Sequence, residues 1–171
     1  MKRIALIGCG GSGKTFLSKQ LGTLISAPVK HLDAVYYDDE WNPLPPEEFA
    51  AAQERLVAEP AWVIEGNYAS TLPIRLRRAD CVIFLELPTW VCLWGIAQRR
   101  LRHGGGQDDA TGVYDRITWG FLRYVWGYRK TMAPRVRELL DEHATGASIH
   151  VVTSRREARA LLAQLTEAQT A

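Results

Sequence analysis

Gly8-Cys9-Gly10-Gly11-Ser12-Gly13-Lys14-Thr15 matches the pattern G-x-x-x-x-G-K-[ST] in full. It follows Arg3 to Ile7, an apolar run of strand length. It opens Lys14 to Ser26, where Phe16, Leu17, Leu21, Leu24 and Ile25 fall on one helical stripe. Strand, glycine loop and helix in that order make a cradle for phosphate. Glycines at 8, 10, 11 and 13 let backbone N–H groups turn inward around phosphate oxygens, where a side chain would block the approach. The following helix points its positive end at the same oxygens. Lys14 is expected to reach the terminal phosphates of a nucleoside triphosphate, and the Thr15 hydroxyl to ligate Mg2+. Gly8, Gly10, Gly11, Ser12, Gly13, Lys14 and Thr15 are thus the expected cofactor-binding set, with Lys14 also catalytic. Cys9 occupies a free position of the motif and reads as a small filler.

Outward from the loop, apolar runs of strand length alternate with helical patterns, as in an α/β domain with a parallel sheet. Further strands are expected at about Val29 to Leu32, Trp62 to Glu65, Cys81 to Leu87 and Ser148 to Val152. Helices are expected from Pro45 to about Ala58, Thr89 to Leu101, Asp115 to about His143 with a break near Gly127 or Pro134, and Arg156 to Leu165. Gly104-Gly105-Gly106-Gln107-Asp108-Asp109 alone has linker composition. No internal repeat is visible.

The 171 residues suit one domain, and 47% hydrophobic with 23% charged argues against wholesale disorder. Cys9, Cys81 and Cys92 form no paired framework and no metal-type spacing, which points to a reduced, cytoplasmic setting. No signal-peptide pattern opens the chain, and Cys81 to Ala97 holds Glu86 and Pro88 and is too short to span a bilayer, so no membrane association is expected. The net charge of +2 hides segregation: His31 to Glu65 holds nine acidic residues and one basic, whereas Arg116 to Arg137 holds six basic and no acidic ones.

In open α/β sheets ligands gather beyond the carboxyl ends of the strands. Asp33, after the second strand, is placed to orient an acceptor hydroxyl or to hold a metal-bound water. Glu65 closes the apolar Trp62-Val63-Ile64 and suits the magnesium shell. Glu86 is a weaker candidate for the same task. His31 reads as a packed histidine.

The phosphate loop, His31-Leu32-Asp33, Trp62-Val63-Ile64-Glu65-Gly66-Asn67-Tyr68, Ala79-Asp80, Phe121-Leu122-Arg123-Tyr124-Val125-Trp126 and Thr153-Ser154-Arg155 together resemble the DNA topology modulation proteins, of the adenylate-kinase-like branch of P-loop proteins. The resemblance covers nearly the whole chain. It implies a three-layer sandwich with five parallel strands in the order 2-3-1-4-5, ATP and Mg2+ as cofactors, and a small helical lid at approximately 102–117 within a single domain. It also implies that lid arginines, Arg99, Arg100 or Arg102, clamp the transferring phosphoryl group. Asn67, Arg75 and Arg123 then join Asp33 and Glu65 on the substrate side, Arg129 is a further candidate, and Ser154 and Arg155 fall where this fold encloses the adenine. Two positions depart from the family: Glu65 stands where Asp is usual, and Thr89 where many relatives carry arginine. Trp90, Trp94, Trp119 and Trp126, on the helices flanking the lid, are read as packing between those helices and the core rather than as stacking on nucleic acid.

These readings converge on phosphoryl transfer from MgATP to a small acceptor, such as a nucleotide, a nucleoside or another hydroxylated metabolite. The alternative is a nucleotide-dependent regulatory or DNA-associated protein with little turnover. DNA is not the favoured partner, because the chain has no helix-turn-helix pattern, no basic tail and an acidic first half.

Overall fold

The computed structural model describes residues 1–38, 40, 42–103, 107–108, 113–114 and 117–170. Strand β1 (Arg3–Gly8) runs through the phosphate loop into helix α1 (Lys14–Leu24). There follow β2 (Val29–His31), α2 (Leu32–Tyr36), α3 (Pro46–Val57), β3 (Trp62–Glu65), α4 (Leu72–Leu76), β4 (Cys81–Leu85) and α5 (Thr89–His103). A short antiparallel pair, β5 (Gln107–Asp108) and β6 (Val113–Tyr114), precedes α6 (Trp119–His143), β7 (Ser148–Val152) and α7 (Arg155–Thr170).

The main sheet has the order β2-β3-β1-β4-β7, and every pairing in it is parallel. In sequence terms this is the order 2-3-1-4-5 expected for its five strands. Every residue of β3 and β4, and all of β1 after Arg3, is buried, so both faces of the sheet centre are covered. Ile4, Leu6, Ile7, Ile64, Val82, Ile83 and Phe84 form the middle of the core. Helices α1 and α7 pack together, and α3, α4, α6 and α5 form a second connected set. The register sets Leu6 beside Glu65, Glu65 beside His31, and Gly8 beside Leu85. The carboxyl ends of the strands therefore collect the phosphate loop, His31, Asp33 and Glu65 at one edge of the sheet.

Several expectations need correction. Helix α6 is continuous through Gly127 and Pro134. A proline there forfeits one helical hydrogen bond, but Ala133 and Val136 on either side are buried, so packing supports the helix across it. Helices α2 and α4 are one-and-a-half turns long and too short to show a period in the sequence. Trp90, Trp94, Trp119 and Trp126 do not pack on the core; all four are exposed. At 100° per residue they fall opposite the buried Cys92 and Ile96 of α5 and the buried Val125 and Tyr128 of α6. Where a small helical lid is expected at approximately 102–117, the described residues after α5 form the antiparallel pair β5–β6 instead; the side chain of Arg102 and residues 104–106, 109–112 and 115–116 lie outside the described residues. Among the described residues no helix is long and apolar enough to cross a membrane.

Candidate active site

The loop is shaped by its neighbours as much as by its own glycines. Gly11 and Gly13 adopt φ of 76° and 95°, a region L side chains rarely enter. A Cβ on Gly11 would lie 2.1 Å from the Cys92 carbonyl oxygen, and one on Gly95 would lie 2.2 Å from the Gly11 carbonyl oxygen. Helix α5 thus presses its backbone against the loop, and Gly95 is the residue that permits it. A Cβ on Gly10 would meet the Phe121 ring at 2.5 Å, so the first turn of α6 lies across the loop. Cys9 is buried against Cys92, and the hydrogen bond between the two thiols, together with burial, pushes its pKa up.

Gly13 precedes α1 with no side-chain cap and no acid in the first turn, which leaves the helix amides open toward the loop. A Cβ on Gly13 would meet nothing within 4 Å. Lys14 Nζ donates to the Cys9 carbonyl at 2.9 Å, folded back across the loop it closes. Thr15 Oγ1 donates to Glu65 Oε1 at 3.0 Å. The same carboxylate oxygen is bonded by His31 Nδ1. Two buried oxygens, Ser12 Oγ and Glu65 Oε2, have no protein partner. Open amides, a glycine cradle and an orphaned hydroxyl and carboxylate oxygen fit a triphosphate with its Mg2+.

His31 was read as an ordinary packed histidine, and the structure corrects this: it is a partner of Glu65. The signal was faint but present, since both residues end parallel strands that neighbour each other once the order is known.

Asp33 occupies the first turn of α2, where its Oδ1 accepts from the Tyr68 hydroxyl at 2.7 Å. Burial first and Asp33 second push the Tyr68 phenol pKa up, so the hydroxyl remains a donor. Asn67 is held at both ends: its Nδ2 donates to the Tyr124 hydroxyl at 2.5 Å, and its Oδ1 accepts from Tyr128 at 2.7 Å. Tyr124 and Tyr128, four residues apart on α6, were not anticipated, although their spacing places them on one helix face. Asn67→Ala strands both hydroxyls and is expected to cost about 1–3 kcal/mol. Urea denaturation of Asn67→Ala beside Tyr128→Phe checks this, and equal stability of Asn67→Ala and wild type would discard it.

Arg75 is not available to a substrate. It is fully buried, with Nη1 donating to the Gly66 carbonyl at 2.8 Å and Nη2 to the Tyr68 carbonyl at 3.3 Å. Its expected role as a phosphate contact is replaced by that of a strut beneath the Gly66–Tyr68 turn. Burial without a carboxylate pulls its pKa down to about 9. Arg123 is likewise misplaced for a substrate contact, since it lies about 200° around α6 from Phe121 and is exposed. Arg129 is exposed on the same helix.

The arginines of α5 separate by face. Arg99 is half-buried and falls within the arc of Cys92, Gly95 and Ile96 that meets the loop, whereas Arg100 is exposed and lies about 100° from Arg99, about 40° beyond Ile96. Arg155 reaches the same region: its Nη1 donates to Gln98 Oε1 at 3.5 Å, and its Nη2 lies 3.1 Å from where a Gly95 Cβ would be. Ser154 is engaged in a capping box, its hydroxyl accepting from the Glu157 amide and donating to the Glu157 carboxylate, each at 3.1 Å. Glu86, the weaker metal candidate, is instead paired with Arg137 at 2.5 and 3.1 Å. Arg137 thereby anchors α6 to the end of β4.

No family model and no curated protein matches the chain. Solved structures do. Shikimate kinase from Acinetobacter baumannii, in complex with shikimate, aligns with a TM-score of 0.62 and 17% identity over 98% of this chain and 92% of its own. A putative kinase from Chloroflexus aurantiacus gives 0.56 and 16% over 98% of each chain. A gluconokinase from Sinorhizobium meliloti gives 0.54 and 18% over 99% of this chain and 95% of its own. The fold is that of the P-loop kinases. At these identities the likeness speaks for the fold alone, and the DNA topology modulation label gains no support from it.

Proposed function

We propose that the chain is an ATP-dependent phosphotransferase acting on a small hydroxylated acceptor. The observation that carries this reading is the Thr15–Glu65–His31 cluster at the end of the phosphate loop, with Glu65 Oε2 buried and unpartnered. A carboxylate in that position suits a cation shared with phosphate. Among the described residues no group of three or more His, Cys, Asp or Glu could hold a metal unaided. A Mg2+ at Thr15 and Glu65 would therefore complete its shell from phosphate and water.

Bound MgATP would supply the phosphoryl group, its Mg2+ offsetting part of the phosphate charge. The loop amides and Lys14 hold the phosphate oxygens, for which Lys14 would leave the Cys9 carbonyl. Asp33, oriented by the Tyr68 hydroxyl, accepts the acceptor hydroxyl and aligns it. Arg99, on the loop-facing stripe of α5, is the lid-side cation best placed to meet charge spreading onto the equatorial oxygens, ahead of Arg100. Arg155 flanks the nucleotide across α5. The aromatic group of Tyr36, Phe49 and Tyr68, with ring centroids 4.8 to 4.9 Å apart, walls the side of Asp33.

A coupled ADP-release assay across sugars, polyols, nucleosides and nucleotides tests the reading. At least one acceptor class is expected to raise turnover well above the water rate, and Asp33→Asn is expected to lower that gain by about 10²-fold or more. Tight ATP binding with no acceptor-dependent turnover across the panel would overturn it.

A further inference from the structure

The outward faces of α5 and α6 take no part in the site just described. On α5, Trp90, Trp94, Ala97 and Leu101 form one row opposite Cys92 and Ile96, with Trp90 71%, Trp94 55% and Leu101 83% exposed. On α6 the same spacing carries Trp119, Arg123, Trp126 and Lys130 opposite Phe121, Val125 and Tyr128, with Trp119 82% and Trp126 72% exposed. The two helices pack against each other. Rows of large apolar side chains facing water mark a surface that meets something.

Charge selects the partner. No acidic residue occurs from Thr89 to His103 or from Ile117 to Arg137. Arg100, Arg123, Arg129 and Lys130 are exposed within these stretches. The face is therefore apolar, rich in indoles and free of acids along both helices, with Arg123 and Lys130 in the row of α6 and Arg100 and Arg129 flanking it.

We propose that the outward faces of α5 and α6 dock on an anionic phospholipid bilayer. Indoles and Leu101 seat at the level of the headgroups and upper acyl chains, and the cations draw the face to anionic lipid. Two other occupants fit less well. A second copy of the chain would set this acid-free face against itself, cation against cation. Single-stranded nucleic acid would use the alternating tryptophans and cations of α6. It has no use for the uninterrupted apolar row of α5, which ends in an alanine and a leucine. Because this row lies on the far side of α5 from the phosphate loop, docking leaves the loop open to solvent.

The full-length protein is sedimented with vesicles of phosphatidylcholine alone and of phosphatidylcholine mixed with phosphatidylglycerol. Binding to the mixed vesicles is expected, with a blue shift of tryptophan emission, weakening in high salt and little binding to phosphatidylcholine alone. The double variant Trp94→Ser/Leu101→Ser and, separately, Lys130→Glu are expected to lower the partition coefficient, by about tenfold or more for the double variant and severalfold for the charge reversal. Circular dichroism confirms that each variant is folded. No binding to mixed vesicles at low salt overturns the proposal, as does wild-type partitioning of both folded variants. Binding of an oligothymidylate without vesicle binding would assign the face to nucleic acid, and a concentration-dependent dimer abolished by Trp94→Ser/Leu101→Ser would assign it to a second copy.

Discussion

Lys14→Ala is expected to lower kcat/KM for phosphoryl transfer by about 10²–10³-fold while leaving the protein as stable as wild type. Both halves of this expectation follow from where the ammonium sits. Its recorded hydrogen bond is to the Cys9 carbonyl at 2.9 Å, in a part-buried position that water also reaches. Removing it forfeits about 1 kcal/mol at most. Against that, a cation in the first turn of a helix opposes the macrodipole, and alanine is the better helix former. The two effects nearly cancel, so the melting temperature should move by no more than about 2–4 °C. In the nucleotide complex nothing offsets the loss, because the ammonium that would stabilise the charge spread over the transferring group and its leaving oxygen in the transition state is gone. A Lys14→Ala protein that keeps full acceptor-dependent turnover would remove Lys14 from the mechanism. One that loses turnover only because it melts early would assign the residue to the fold.

The separation between what could and could not be read in the sequence is itself physical. The phosphate loop was legible because its chemistry is local: glycines, a lysine and a threonine at fixed spacing between a strand and a helix. The sheet order came from the family resemblance and not from the loop, since strand order is a long-range property. Arg75 and Arg123 were misassigned for one reason. An arginine near a phosphate-type turn looks the same in sequence whether its guanidinium faces ligand, backbone or water, and only packing distinguishes them. The four tryptophans failed in the opposite direction, since large apolar residues are usually inside, whereas the helical positions of Trp90, Trp94, Trp119 and Trp126 turn them outward. His31 needed the register of β2 on β3, which is a long-range fact. The loop-facing position of Arg99 needed only the 100° step from Cys92 and Ile96, but became useful once Gly95 was seen against Gly11.

Arg75→Ala should produce the largest loss of stability of any single change at this site, about 3–5 kcal/mol. At roughly 2–4 °C per kcal/mol this is a melting-temperature drop of about 6–20 °C. Two effects compete. Burying a guanidinium with no carboxylate partner is costly, as its lowered pKa and its unpartnered Nε attest, so its removal relieves a desolvation penalty. The Gly66 carbonyl, however, would lose its charged donor, the Tyr68 carbonyl would keep only its contacts from the Thr71 amide at 3.3 Å and hydroxyl at 3.4 Å, and a large cavity would open beneath the turn. Gly66 itself has a φ of 148° and lies close against Leu32, where a Cβ would come within 2.8 Å of Leu32 Cβ. The orphaned Gly66 carbonyl and the cavity outweigh the relief. Arg75→Met separates the terms, because it restores volume and relieves the charge but leaves the Gly66 carbonyl without a donor. It is expected to recover part of the loss, settling about 1–3 kcal/mol below wild type. The turn also carries Asn67 and Tyr68, and through Tyr68 it sets the position of Asp33. Folded Arg75→Met should therefore raise KM for the acceptor more than it raises KM for ATP. Thermal denaturation and the two Michaelis constants decide the matter. An Arg75→Met protein that melts with wild type and binds the acceptor normally would show that the guanidinium supports neither the turn nor the residues it presents.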